Sequence, residues 1–367
     1  MAFGRWARAT ALVLLTATVV PVPGSAAESE FNRPIEAVLS GVVEGYIRPG
    51  YGALADAANA LQTATVRYCA NPSDTTRSAV DESFQRTVQA LGAVAFLDFG
   101  PADVNRRLER LKTPVPATPA TDSKTEPTPI TGQDGSQSGP EDVGALAQES
   151  PQIQGLPAFE RLLVATPAEP GSDRFAESCR FAGLVAANVK AISTALDSEW
   201  AKDGGYGDWL ATPAADNPAY RRADAALAKI LDTFVRGAAA AEDRLATALV
   251  EDADKAAVVS GPFDRQPLVL LYLQAEIRGL SQFFQATDLV NATDAPASDA
   301  AARVAASIGA AGKMIASIDV EDDDDLSSAD VEAIAAAKSD LESARLAATD
   351  LVARLKIVPD RADHQAK

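Results

Sequence analysis

Ile35-Glu36-Ala37-Val38-Leu39-Ser40-Gly41-Val42-Val43-Glu44-Gly45-Tyr46-Ile47 carries apolar side chains at 35, 38, 39, 42, 46 and 47. Steps of three and four place them on one stripe of an α-helix, whereas a half-buried strand would need strict alternation. Pro49 and Gly50 are expected to interrupt this helix. Tyr51, Leu54, Ala58, Leu61 and Thr65 resume the face up to Cys69. The same period recurs along the chain: after the Asn71-Pro72-Ser73-Asp74 turn to about Phe96, from Phe175 to Trp200, around Tyr220 to Phe234, and from Leu268 to Phe284. It returns from Ala297 to Ile318 and, with nearly heptad spacing, from Ile334 to Leu355. No alternating run of useful length interrupts it. The fold class that follows is all-α, with antiparallel helices packed into bundles.

The ends and the charge bound where such a protein works. Arg5 and Arg8, an apolar run from Ala9 to Val20 and the small residues Ser25-Ala26-Ala27 read as a signal peptide over 1–27, cleaved near Ala27. The apolar run is too short to span a bilayer, and the mature chain offers no transmembrane segment. Export to the periplasm or another extracytoplasmic space, as a soluble protein, is the expected localisation. Loss of Arg5 and Arg8 moves the formal charge from -18 to about -20, that is -18 minus 2. A chain this acidic repels phosphate backbones and anionic membrane surfaces, so nucleic acid is a poor partner. Cys69 and Cys179 fit a disulfide in an oxidising compartment, which would tie the two halves of the chain together. The alternative is two small buried thiols.

Between Thr113 and Gln154 the composition shifts to Pro, Thr, Ser, Gly and Gln, with almost no large apolar residues. Such a segment gains too little burial to offset its ordering entropy and reads as a mobile linker or loop insertion. Immediately after it comes Gly155-Leu156-Pro157-Ala158-Phe159-Glu160-Arg161-Leu162-Leu163. Proline is favoured in a first helical turn, and Glu160, three residues on, lies near the positive end of the dipole.

This last stretch resembles the signature of the imelysin-like family of bacterial envelope proteins, which reads Gly, any residue, His, two residues, Glu. Gly155 and Glu160 match it, and Pro157 occupies the histidine position. Further motifs follow in the family's order: Pro49 and Tyr51 with Leu54, Cys69 before Pro72-Ser73, Phe99-Gly100-Pro101, and Asn105-Arg106 with Glu109-Arg110. Arg180 follows Cys179 where the family carries Arg-Cys. Departures are Leu91 in place of a tryptophan, Asp98 in place of an arginine, and the loss of the aromatic-rich segment after the Arg-rich helix. The resemblance implies two bundle-like halves facing each other across a cleft. It also implies a setting in iron-regulated envelope functions, including periplasmic iron uptake, and a nominal peptidase class.

On this resemblance Gly155, Pro157, Glu160, Arg107 and Arg180 are the candidate ligand-binding residues of the cleft. Glu160 has two readings: a carboxylate open to a cation or polar ligand, or a structural carboxylate paired with Arg161, Arg107 or Arg180. A metal site of the family's type needs an imidazole three residues before the carboxylate. Here that position is Pro157, leaving Glu160 as the one candidate metal ligand and iron or another divalent cation as the cofactor to consider. The chain's single histidine, His364, lies in a polar tail, so histidine-based peptidase chemistry lacks its base. Glu321 to Asp325 lacks the alternation and turn glycine of a calcium loop and reads as a solvated approach to a helix capped by Ser327 or Ser328. The expected plan is therefore a signal peptide over 1–27, a helical segment over 28–112, a linker over 113–154, further bundles over 155–358 and a polar tail over 359–367. The expected function is a non-catalytic binding or accessory protein linked to iron uptake, acting on an envelope protein or small ligand. An imelysin-class peptidase and a partner-docking protein are the alternatives.

Overall fold

A computed structural model describes residues 35–115, 140–164, 169–249, 259–318 and 326–357. The expected signal peptide, most of the expected linker, the acidic run 321–325 and the tail with His364 lie outside the described residues. Those described are helical, with no strand among them.

The first helix, α1, runs over 35–70 without stopping at Pro49, contrary to the expected interruption. Proline lacks an N–H and its ring crowds the carbonyl four residues back. A π turn at Val43–Ile47 widens the helix just before it, with the Arg48 N–H donating to the Val43 carbonyl. α2 (Asp74–Val94) starts as its sequence suggests, Ser73 and Thr76 forming a reciprocal cap. It ends before Phe99-Gly100-Pro101, where Gly100 adopts φ +60° with the Tyr206 ring 2.5 Å from where a Cβ would stand. α3 (Arg107–Lys112) follows two left-handed residues, Asn105 and Arg106. Then come α4 (Val143–Leu146), α5 (Leu156–Phe159), α6 (Asp173–Ala201), α7 (Tyr206–Ala211) and α8 (Ala223–Ala246). α9 (Gln266–Ala286), α10 (Leu289–Ala292), α11 (Ala295–Ile315) and α12 (Ser328–Arg354) complete the chain. The described part of the expected linker, 140–154, is folded: Asp142 caps α4, and Leu146 and Gln154 are buried.

α1 packs on α2 and α6, and α2 packs on α9. α9 in turn joins α8, α11 and α12's neighbours in a second bundle closed by the α11–α12 and α8–α12 pairs. α9 is thus shared, which explains its unbroken burial from Leu268 to Leu270 and from Tyr272 to Ile277. A helix apolar all round is one covered on both sides. Gln274 fits this position by donating to the carbonyls of Ile315 (3.0 Å) and Ile318 (3.1 Å), satisfying the end of α11.

Cys69 and Cys179 are bridged, with an S–S distance of 2.07 Å. The bridge joins α1 to α6 inside the first bundle, so it links distant chain segments without fastening one bundle to the other. Among the described residues no helix is long and apolar enough to cross a membrane.

Candidate functional site

Ser150 caps a 3-10 turn at Pro151–Ile153, and Gly155 then begins α5 in extended conformation, with Pro157 in the first turn. Four helical residues pass directly into a π turn at Glu160–Val164. The glycine is required by close approach: a Cβ at Gly155 would stand 2.4 Å from the carbonyl oxygens of Arg110 and Leu111 in α3. Those are backbone atoms of a packed helix and cannot swing aside. Gly155→Ala is expected to cost about 1–3 kcal/mol, read as a lower urea midpoint at unchanged slope.

Leu156 to Glu160 are all buried, so the segment packs against α3 and α6 and does not face an open cleft. Glu160 is wholly inaccessible to solvent. Its two carboxylate oxygens accept from the backbone N–H groups of Asp264 (2.9 Å) and Arg265 (3.1 Å). These amides open α9, whose N-cap residue, Arg265, makes no side-chain cap of its own. Glu160 thus caps a helix from across the sequence, with a negative charge at the positive helix end. Next to it, Arg161 donates to both oxygens of Asp264 (2.5 and 2.9 Å) and to the Val115 carbonyl (2.9 Å). Two consecutive side chains therefore clasp two consecutive residues at the start of α9. Burial raises the Glu160 pKa above the ordinary carboxylate range, opposed by the two amide hydrogen bonds.

The arginines expected beside Glu160 serve other partners. Arg107 makes a forked pair with Glu199 (2.8 and 2.7 Å) and reaches the Pro101 carbonyl. Arg180 donates to the Pro140 carbonyl at 3.0 Å, holding the chain that leads into α4. Arg110 donates to Gln154 (2.6 Å) and Asn188 (3.3 Å), while Asn188 donates to the Gln154 carbonyl. This network fixes the residue preceding Gly155 against α3 and α6.

A metal of the kind the signature suggests does not fit these residues. Both oxygens of Glu160 face N–H donors, the Arg265 guanidinium lies 3.9 Å away, and Pro157 supplies no donor. Among the described residues no group of three or more His, Cys, Asp or Glu side chains could hold a metal ion.

Sequence reasoning passed over a second charged group where α3, α8 and α9 converge. Glu276, 1% exposed, pairs with Arg244 at 2.5 Å. The Lys112 ammonium donates to the Ala95 carbonyl (2.8 Å) and adds its charge to the field at Glu276. Burial raises the Glu276 pKa against the opposing pull of Arg244 and Lys112, and burial lowers that of Lys112. The Arg244 guanidinium also covers the Tyr272 ring at 5.6 Å. One signal was available: Glu276 is a lone acid four residues after Tyr272, on a face otherwise read as core.

The family model described as Imelysin matches residues 47–350. An imelysin-like protein from Psychrobacter arcticum 273-4 superposes with a TM-score of 0.63 at 15% identity, over 89% of this chain and 96% of its own. A protein from Parabacteroides distasonis ATCC 8503, provisionally named an iron-regulated protein A precursor, gives 0.62 at 14% identity, over 88% and 95%. No curated protein sequence matches the chain.

Proposed function

The chain belongs to the imelysin family, and on that premise we propose that it is an exported, non-catalytic binding or accessory protein linked to iron uptake. The observation that carries the non-catalytic part is the engagement of Glu160 by the Asp264 and Arg265 amides. A carboxylate used in this way fastens the signature turn to α9 and is spent as a metal ligand or general base. The iron link is supported by the family and by the provisional name of one structural relative. Export is supported by the pattern of residues 1–27.

Metal-free mature protein should show no micromolar, one-to-one response in titration heat or melting temperature to ferrous iron, ferric iron, copper, zinc or calcium. Glu160→Ala should destabilise it by roughly 1–3 kcal/mol, because two amides at a helix start lose their acceptor. A one-to-one metal response abolished by Glu160→Ala would overturn this reading. So would chelator-sensitive cleavage of unfolded substrates at constant specific activity. For the iron link, a strain lacking the protein should accumulate less iron from a limiting medium; equal iron content would remove that part.

A further inference from the structure

A cavity of about 690 Å³ opens where the start of α1, the N-termini of α8 and α11, the short α10 and the end of α12 meet. Its size falls in the range of about 300–1,000 Å³ usual for small-molecule pockets. Ile35, Val38, Leu227, Leu289, Leu355 and Ile357 supply apolar walls. Four charged side chains also line it: Asp224, Asp294, Arg354 and Lys356. Three of them have work elsewhere. Arg222 donates to Asp224 at 2.8 Å, Asp294 caps α11 through the Ala297 amide, and Arg354 donates to Asp350 at 2.7 Å. Lys356 has no ion pair or side-chain hydrogen bond to any of the described residues. Its backbone is left-handed, with φ 52°, a region that L residues adopt at a cost. Asp288, just before α10, is also left-handed with φ 48°.

We propose that this cavity binds a long-chain carboxylate, its alkyl chain along the apolar walls and its head group paired with the Lys356 ammonium. Lys356 is the one cation at the cavity without an acidic partner among the described residues, which favours an anionic head, and the apolar walls favour an alkyl chain. This site shares no residue with the Glu160 clasp and stands independently of the function proposed above.

Titration of dodecanoate, decanoate and octanoate into the mature protein, below their micelle concentrations, tests it by calorimetry. Dodecanoate should bind one-to-one, and each CH₂ removed should weaken binding about fourfold. Lys356→Glu should weaken dodecanoate at least tenfold, and dodecyltrimethylammonium should not bind the native protein. Ala292→Phe, at a lining position, should abolish binding while leaving the melting temperature unchanged. Absence of one-to-one dodecanoate binding would overturn the proposal, as would equal affinity for the cationic amphiphile or undiminished binding in Ala292→Phe. No binding together with a lower melting temperature in Ala292→Phe would mean that the chain's own residues fill the cavity, and would equally overturn it.

Discussion

Replacing Cys69 and Cys179 together by serine should lower the melting temperature by about 6–7 °C, the counterpart of losing roughly 4–5 kcal/mol. The bridge spans a sequence separation of 110 residues. Closing a loop of that length removes much of the freedom of the unfolded chain, about 4.7 kcal/mol for 100 residues in the chain-entropy account. The folded state should lose little, because α1 and α6 remain packed along their length and Tyr68 meets Phe175 edge-on at 5.6 Å beside the bridge. Reductant should therefore lower the melting temperature of the native protein and leave the double variant unmoved. A loss below about 1 kcal/mol would show that the unfolded chain is already held near the α1–α6 pairing.

The contrast between what could be read from the sequence and what could not lies in the range of the interactions. Helices were legible because their period is local: the stripes at Ile35 to Ile47 and at Leu268 to Phe284 are core faces. The cap at Ser73 was legible for the same reason. Pro49 misled because the π turn that absorbs it leaves no mark in residue types. Glu160 could be singled out, and an arginine partner was the natural expectation for a buried acid. Its partners are instead main-chain amides 104 and 105 residues on, and an amide has no side-chain signature. The folding of 140–154 was hidden similarly, since it depends on Arg110, Asn188 and Arg180 from other helices.

Arg244→Met should cost about 3–5 kcal/mol at neutral pH, a loss comparable to that of the disulfide, because it leaves Glu276 buried without its salt-bridge partner. Glu276→Gln should cost less, since it removes the charge that needs compensation. The pair Arg244→Met with Glu276→Met should fall below the sum of the single losses, as removing both members of a buried ion pair is often close to neutral. The sign of the pH dependence separates charge from packing. The folded-state pKa of Glu276 is raised by burial, so between the ordinary carboxylate value and that raised value the folded protein binds more protons than the unfolded chain. Stability from this group is therefore complete at low pH and is lost as pH rises through the window. Removing the Arg244 charge raises the Glu276 pKa further and widens the window. The cost of Arg244→Met should thus be smallest near pH 4 and grow as pH rises toward 7, whereas Glu276→Gln should flatten the decline. Urea unfolding of the four proteins at both pH values decides the matter. An equal cost for Arg244→Met at pH 4 and pH 7 would assign the loss to its packing over Tyr272, because a cation–π and van der Waals contact does not follow the protonation of Glu276.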